Sequence, residues 1–233
     1  DCAAVLDILR GKDRRDSTSV ELPGGPLLDA LTGRVKGLSI ALPEQYLEDG
    51  LEGGVAAAVR EAADTFRALG ARVETVSLPA LDWAVSAYYI LACAQASSNL
   101  ARFDGVTCGR RAPEGRDLAQ LCAASRTQGF GREVKRRLLL GTFVLSHGYY
   151  DAYYKKALQA AALIKDGLNR TLEEYDLILS PVAPTAAPRL GESLSSPLEM
   201  YLSDLYTVPA NLAGLPAVAF PCGLDGEGMP VGV

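Results

Sequence analysis

A chain of 233 residues, 48% of them hydrophobic and 22% charged, carries enough apolar material for one sizeable core, which excludes a disordered chain and reads as a single domain. Its 23 Lys and Arg against 28 Asp and Glu leave a net charge of -5, which speaks against a broad electrostatic footprint for nucleic-acid phosphates. No apolar run reaches the roughly 20 residues of a membrane helix, and the start has neither the basic region nor the apolar core of a signal peptide.

Five cysteines, Cys2, Cys93, Cys108, Cys122 and Cys222, are odd in number and form no Cys-x-x-Cys pair. They read as reduced thiols of a cytoplasmic protein, without metal or disulfide roles. The chain opens inside a helical pattern without a methionine and stops inside a strand pattern, as an excised fragment would.

In chain order, Val5, Ile8 and Leu9 give residues 1–9 a helical spacing that Gly11 stops. The polar stretch 11–19 and the tract Leu22-Pro23-Gly24-Gly25-Pro26 read as loops. Residues 38–42 form an apolar run closed by Pro43, a buried strand. Val55, Val59, Ala62, Phe66 and Leu69 then line one face of a helix that Gly70 ends, with Glu48, Asp49 and Glu52 at its positive N-terminal end. Residues 73–78 are rich in β-branched side chains, so strand, helix and strand predict a βαβ unit with parallel strands.

Residues 83–100 are apolar on most sides, as in a helix buried on several faces, and carry the adjacent Tyr88 and Tyr89. Residues 107–115 read as a loop, and a long helical region spans 133–174 with interruptions expected at Gly141 and Gly148. Residues 176–180 are a strand closed by Pro181, and 217–220 a further buried strand.

Elementary chemistry finds no catalytic centre. The single histidine, His147, lies in no Gly-x-Ser-x-Gly elbow and reads as a packing or surface residue. No cluster has metal-ligand spacing, and no glycine-rich dinucleotide fingerprint follows a strand. Taken alone, the run Lys135-Arg136-Arg137 is a solvated helix face, Asp204 caps a turn near Thr207, and one of the two tyrosines fills core space.

A set of motifs points further. Asp16-Ser17-Thr18-Ser19, Ala96-Ser97-Ser98-Asn99-Leu100-Ala101-Arg102-Phe103-Asp104-Gly105, Gln128-Gly129-Phe130-Gly131, Val134-Lys135-Arg136-Arg137, Gly148-Tyr149-Tyr150-Asp151-Ala152-Tyr153-Tyr154, Ser180-Pro181-Val182-Ala183-Pro184-Thr185 and the block 196–223 together resemble the amidase signature family. Within it they are most similar to the glutaminase subunits of amidotransferases that act on Glu-tRNA(Gln) or Asp-tRNA(Asn). The chain departs from the family pattern at Gln95, where glutamate is common, at Cys108, where an aromatic residue is usual, and at His147, where a small residue is usual.

The resemblance implies an α/β fold, a mixed sheet flanked by helices, of which residues 1–233 are the C-terminal portion of one domain. It implies a Lys-Ser-Ser triad upstream of Asp1, so Ser97 and Ser98 are not its members. It assigns this half to the glutamine pocket: Arg137 of the Arg-Arg motif for the α-carboxylate, Asp204 of Met200-Tyr201-Leu202-Ser203-Asp204 for the α-ammonium, and Tyr88 as a lining residue. A zwitterionic substrate calls for such a forked cation and a carboxylate in a partly shielded site. No metal or organic cofactor is implied for this subunit, while ATP and Mg belong to a partner within a heterotrimer. Two other readings stay open: an amidase for a small non-glutamine amide, and a naturally short, non-catalytic binding or assembly protein.

Overall fold

The apolar run that begins at Leu38 and the β-branched run beyond Gly70 pair side by side. The structure, a computed structural model, describes residues 1–21, 23–47, 50–113, 115–190 and 201–233. Strand β1 (Ser39–Pro43) sits between β2 (Arg72–Val76) and β3 (Leu177–Ile178), parallel to both, with Ser39 opposite Arg72 and Ile40 opposite Val73 and Leu177. Helix α2 (Gly53–Ala68) joins β1 to β2, so the expected βαβ unit is present. Ladder bonds from Asp176 N–H to Ser39 O (2.9 Å) and Leu179 N–H to Ala41 O (2.8 Å) extend the third strand's pairing to both sides.

The buried face of α2 is Val55, Ala56, Ala58, Val59 and Ala63. Ala62 and Phe66 are half-buried against the same core, while Leu69, expected on that face, is exposed. Small residues prevail because β4 (Pro221–Leu224) crosses close by: Gly223 leaves room for only ordinary contact with Ala58. Glu52 is the N-cap residue of α2, but its carboxylate accepts from Ala186 N–H at 3.1 Å. Glu48 and Asp49, expected beside it, lie outside the described residues, as do Leu22 of the second loop and positions 196–200 of the C-terminal block.

Strand β4 pairs antiparallel with β5 (Pro230–Gly232) in a separate two-stranded sheet. The buried strand expected at 217–220 is corrected here: these residues are exposed and form no strand, and Phe220 exchanges backbone bonds with Val233 at 3.0 Å each. Apolar content sets the tendency, but a strand needs a partner ladder, and among the described residues none lies beside 217–219.

The remaining helices are α1 (Cys2–Leu9), α3 (Ala84–Asn99), α4 (Leu118–Gly129), α5 (Arg132–Val144), α6 (Lys155–Glu174) and α7 (Val208–Ala213); α6 packs against β3, and α3 packs in turn on α5, α6 and α7. The helical region after 132 breaks at Gly148, which takes φ 84°, and resumes through a π-turn at Tyr150–Tyr154. It does not break at Gly141. There α5 lies so close to α3 that a Cβ would run into the Cys93 carbonyl and the Ser97 side chain; the glycine serves contact, and the helix tolerates its propensity cost. Helix α4 is absent from the expectations above. Its start is set by Asp117, whose carboxylate accepts from Gln120 N–H at 2.8 Å.

One core lies between α2 and the sheet, around Ile40, Leu42, Val55, Val59 and Leu179 with Val231 and Val233. A second gathers Tyr46, Leu81, Ala84, Ile164, Leu168, Tyr206 and Val208 beneath α6 and α7.

Candidate substrate-binding site

The α3–α5 contact at Gly141 brings the tyrosine pair of α3 to the first turns of α5. Glu133 stands in the first turn of α5, where a carboxylate suits the helix dipole. It reaches along the helix to both arginines: Arg136 Nη2 lies 2.5 Å from Glu133 Oε2, and Arg137 Nε donates to Oε1 at 2.9 Å. The Arg137 hydrogen bond, then that of Arg136, holds the Glu133 carboxyl below its ordinary range, and the bond to Glu133 raises Arg137 in turn.

Neither arginine belongs to a freely solvated face. The Arg137 guanidinium lies over the Tyr89 ring, 5.6 Å from its centroid, and that of Arg136 over Tyr201 at 5.1 Å. The Tyr89 and Tyr201 rings pack at 4.1 Å with planes tilted by 47°. Asp204 follows Tyr201 in the turn before α7, and that turn is closed by its backbone: Asp204 O accepts from Thr207 N–H (3.2 Å) and Val208 N–H (3.0 Å). The carboxylate points elsewhere, accepting the Tyr89 hydroxyl proton at 2.8 Å on Oδ2. The expectation that Asp204 acts as a side-chain turn cap therefore gives way.

Arg137 and Asp204 thus meet on one ring, that of Tyr89. Tyr88 is its neighbour, edge to face at 5.1 Å, and packs half-buried against the core under α6. Sequence reasoning points to Tyr88 and misses Tyr89, Glu133, Arg136 and Tyr201 as parts of the array. The signal for Glu133 is its spacing of three and four residues from the arginines. His147 is exposed on the loop after α5, and Ser97 shares a hydrogen bond of 3.0 Å with Thr142.

Concavities of about 140 and 320 Å³ lie around Arg126 and Phe130, and neither is lined by Tyr88, Arg137 or Asp204. Among the described residues, no group of three His, Cys, Asp or Glu is placed to hold a metal ion, and no helix is long and apolar enough to cross a membrane.

A forked cation and a carboxylate on either part of one phenol make an arrangement that can hold a zwitterion. A family model described as Amidase matches residues 1–233, the whole chain. The chain belongs to the amidase family. A glutamyl-tRNA(Gln) amidotransferase subunit of Agathobacter rectalis is 52% identical over 233 residues, covering 100% of this chain and 46% of the relative. Its counterpart in Moorella thermoacetica is also 52% identical, with 100% and 47% covered. The crystal structure of the corresponding Thermotoga maritima protein superposes with a TM-score of 0.73 at 38% identity, covering 99% of this chain and 45% of that one. The fold is accordingly an amidase signature α/β fold, and the chain spans about half the length of the relatives it matches.

Proposed function

We propose that this chain is the glutamine-binding half of the glutaminase subunit of a tRNA-dependent amidotransferase. The carrying observation is the gathering of Arg137 and Asp204 on Tyr89. Glutamine brings an α-carboxylate to the guanidinium fork and an α-ammonium to the aspartate, and charge-assisted hydrogen bonds of this kind fix orientation as well as affinity. Tyr88 lines the same end of the site. The held amide is then attacked by the serine of a Lys-Ser-Ser triad carried outside residues 1–233. The acyl-enzyme is hydrolysed, and the released ammonia passes to a partner subunit that activates the glutamyl or aspartyl group on tRNA with ATP and Mg. That partner makes most of the tRNA contact, this subunit needs no cofactor of its own, and the heterotrimer works in the cytoplasm.

The full-length protein in complex with its partners tests this reading. Arg137→Gln and Asp204→Asn should each raise the glutamine KM about tenfold to a hundredfold, the value of one lost charged hydrogen bond, while amidation driven by free ammonia keeps its rate. An unchanged glutamine KM with continued hydrolysis of simple amides would instead place the chain in an amidase for small non-glutamine amides.

A further inference from the structure

Tyr89 touches both charges of the candidate site with a single side chain, one through its hydroxyl and the other through its ring. Its O–H donates to Asp204 Oδ2 at 2.8 Å, which restrains rotation of that carboxylate about its last torsion and leaves its second oxygen to accept from elsewhere. Its ring lies under the Arg137 guanidinium, whose Nε donates to Glu133. The tilted contact with Tyr201, three residues before Asp204, ties the ring to the turn that bears the carboxylate. Tyr88 does neither: adjacent residues on a helix point about 100° apart, and it is Tyr88 that packs against the core. The phenol also stays a donor. Burial, then the hydrogen bond to Asp204 and its negative charge, push its pKa well above the ordinary value, against a smaller opposing effect of Arg137.

We propose that Tyr89 is the positioning residue that makes the site select an α-amino-acid amide over the same amide without the α-amino group. It sets Asp204 to accept an ammonium at a fixed separation from the cation that takes the carboxylate. The inference rests on the amide-binding reading above. Removing the hydroxyl frees the carboxylate to turn and leaves the cation–ring contact in place, so the loss falls on the ammonium end alone.

The test uses the full-length protein in complex with its partner subunits and two substrates, glutamine and glutaramate, which is glutamine lacking the α-amino group. Wild type should hydrolyse glutamine with the lower KM. Tyr89→Phe should raise the glutamine KM about tenfold, shift that of glutaramate less than twofold, and keep kcat for both. Asp204→Asn should give the same substrate-selective shift, and the double variant should be no worse than the poorer single one, because both changes act through one carboxylate. A merely structural Tyr89 would move both substrates together, and additive effects would mean that it does not act through Asp204; either result overturns the inference and leaves the amide-binding reading intact. A wild-type protein that ignores glutamine would sink both.

Discussion

Asp104 Oδ1 accepts hydrogen bonds from the amides of Val106 and Thr107 at 2.8 Å each, and a longer one from Cys108 at 3.4 Å. The Val106 amide first, then that of Thr107, lowers its pKa to about 2. The sign follows directly: a carboxyl whose folded pKa is depressed stabilises the fold above its unfolded pKa of about 3.9, and that contribution disappears as pH falls through about 2. Asp104→Asn should therefore melt below wild type by a constant margin from about pH 5 to 8, a margin that shrinks progressively between about pH 5 and pH 2. Thermal unfolding of both forms across that range checks it, and a margin that fades between pH 7 and 5 would contradict the assignment. This turn starts at the end of the Ala-Ser-Ser-Asn-Leu-Ala-Arg-Phe-Asp-Gly motif, whose last residue, Gly105, takes φ 78° and has no room for a Cβ beside Ser125. At this scale the motifs led to Arg137 and Asp204, which the fold brings to one ring. They could not tell Tyr89 from Tyr88, because which of two adjacent helix residues faces α5 depends on how α3 is rotated against it.

That rotation is fixed between elements, at Gly141. A methyl group there must displace the Cys93 carbonyl, which is backbone and cannot swing aside. Gly141→Ala should cost about 1–3 kcal/mol by overpacking, despite alanine's better helix propensity, and move Arg137 of α5 away from Tyr89 of α3. Urea unfolding and the glutamine KM of the full-length protein read the two effects; a stabilised variant would mean that the helices do not touch there. The sequence carried the βαβ unit because periods of two and of three to four residues are local. It also carried the break at Gly148, where φ is 84°. It misled at Gly141 because a glycine used for close approach leaves the same trace as one used to stop a helix. Helix α4 escaped because its apolar pattern is weak, although Asp117 and Gln120 at N-cap spacing were there to be seen. Residues 217–220 failed for the opposite reason, being apolar enough for a core strand yet exposed beside β4.

At the scale of the molecule, half-buried side chains join the cores: Leu51 packs against both the sheet core and the cluster under α6, and Leu212 joins that cluster to Ala87, Leu91 and Ala157. Such bridges couple the layers, so the chain should unfold as one unit. The cysteines report on this independently. Cys2 is exposed, Cys93 is buried on α3 with its thiol pushed up by burial, and Cys222 is packed against the sheet core. Alkylation in native buffer should modify Cys2 first, because the thiolate must form and be reached, and should spare Cys93 until the fold opens. Ile164, 1% exposed in the cluster under α6, then provides the lever. Ile164→Ala should cost about 2–5 kcal/mol, and a coupled molecule would shift the urea midpoints for labelling Cys93 and Cys222 by the same amount, although only the former lies on a helix packed against α6. A shift confined to Cys93 would mean that the sheet layer with α2 holds together on its own and that Leu51 links the two cores in space without coupling them in energy.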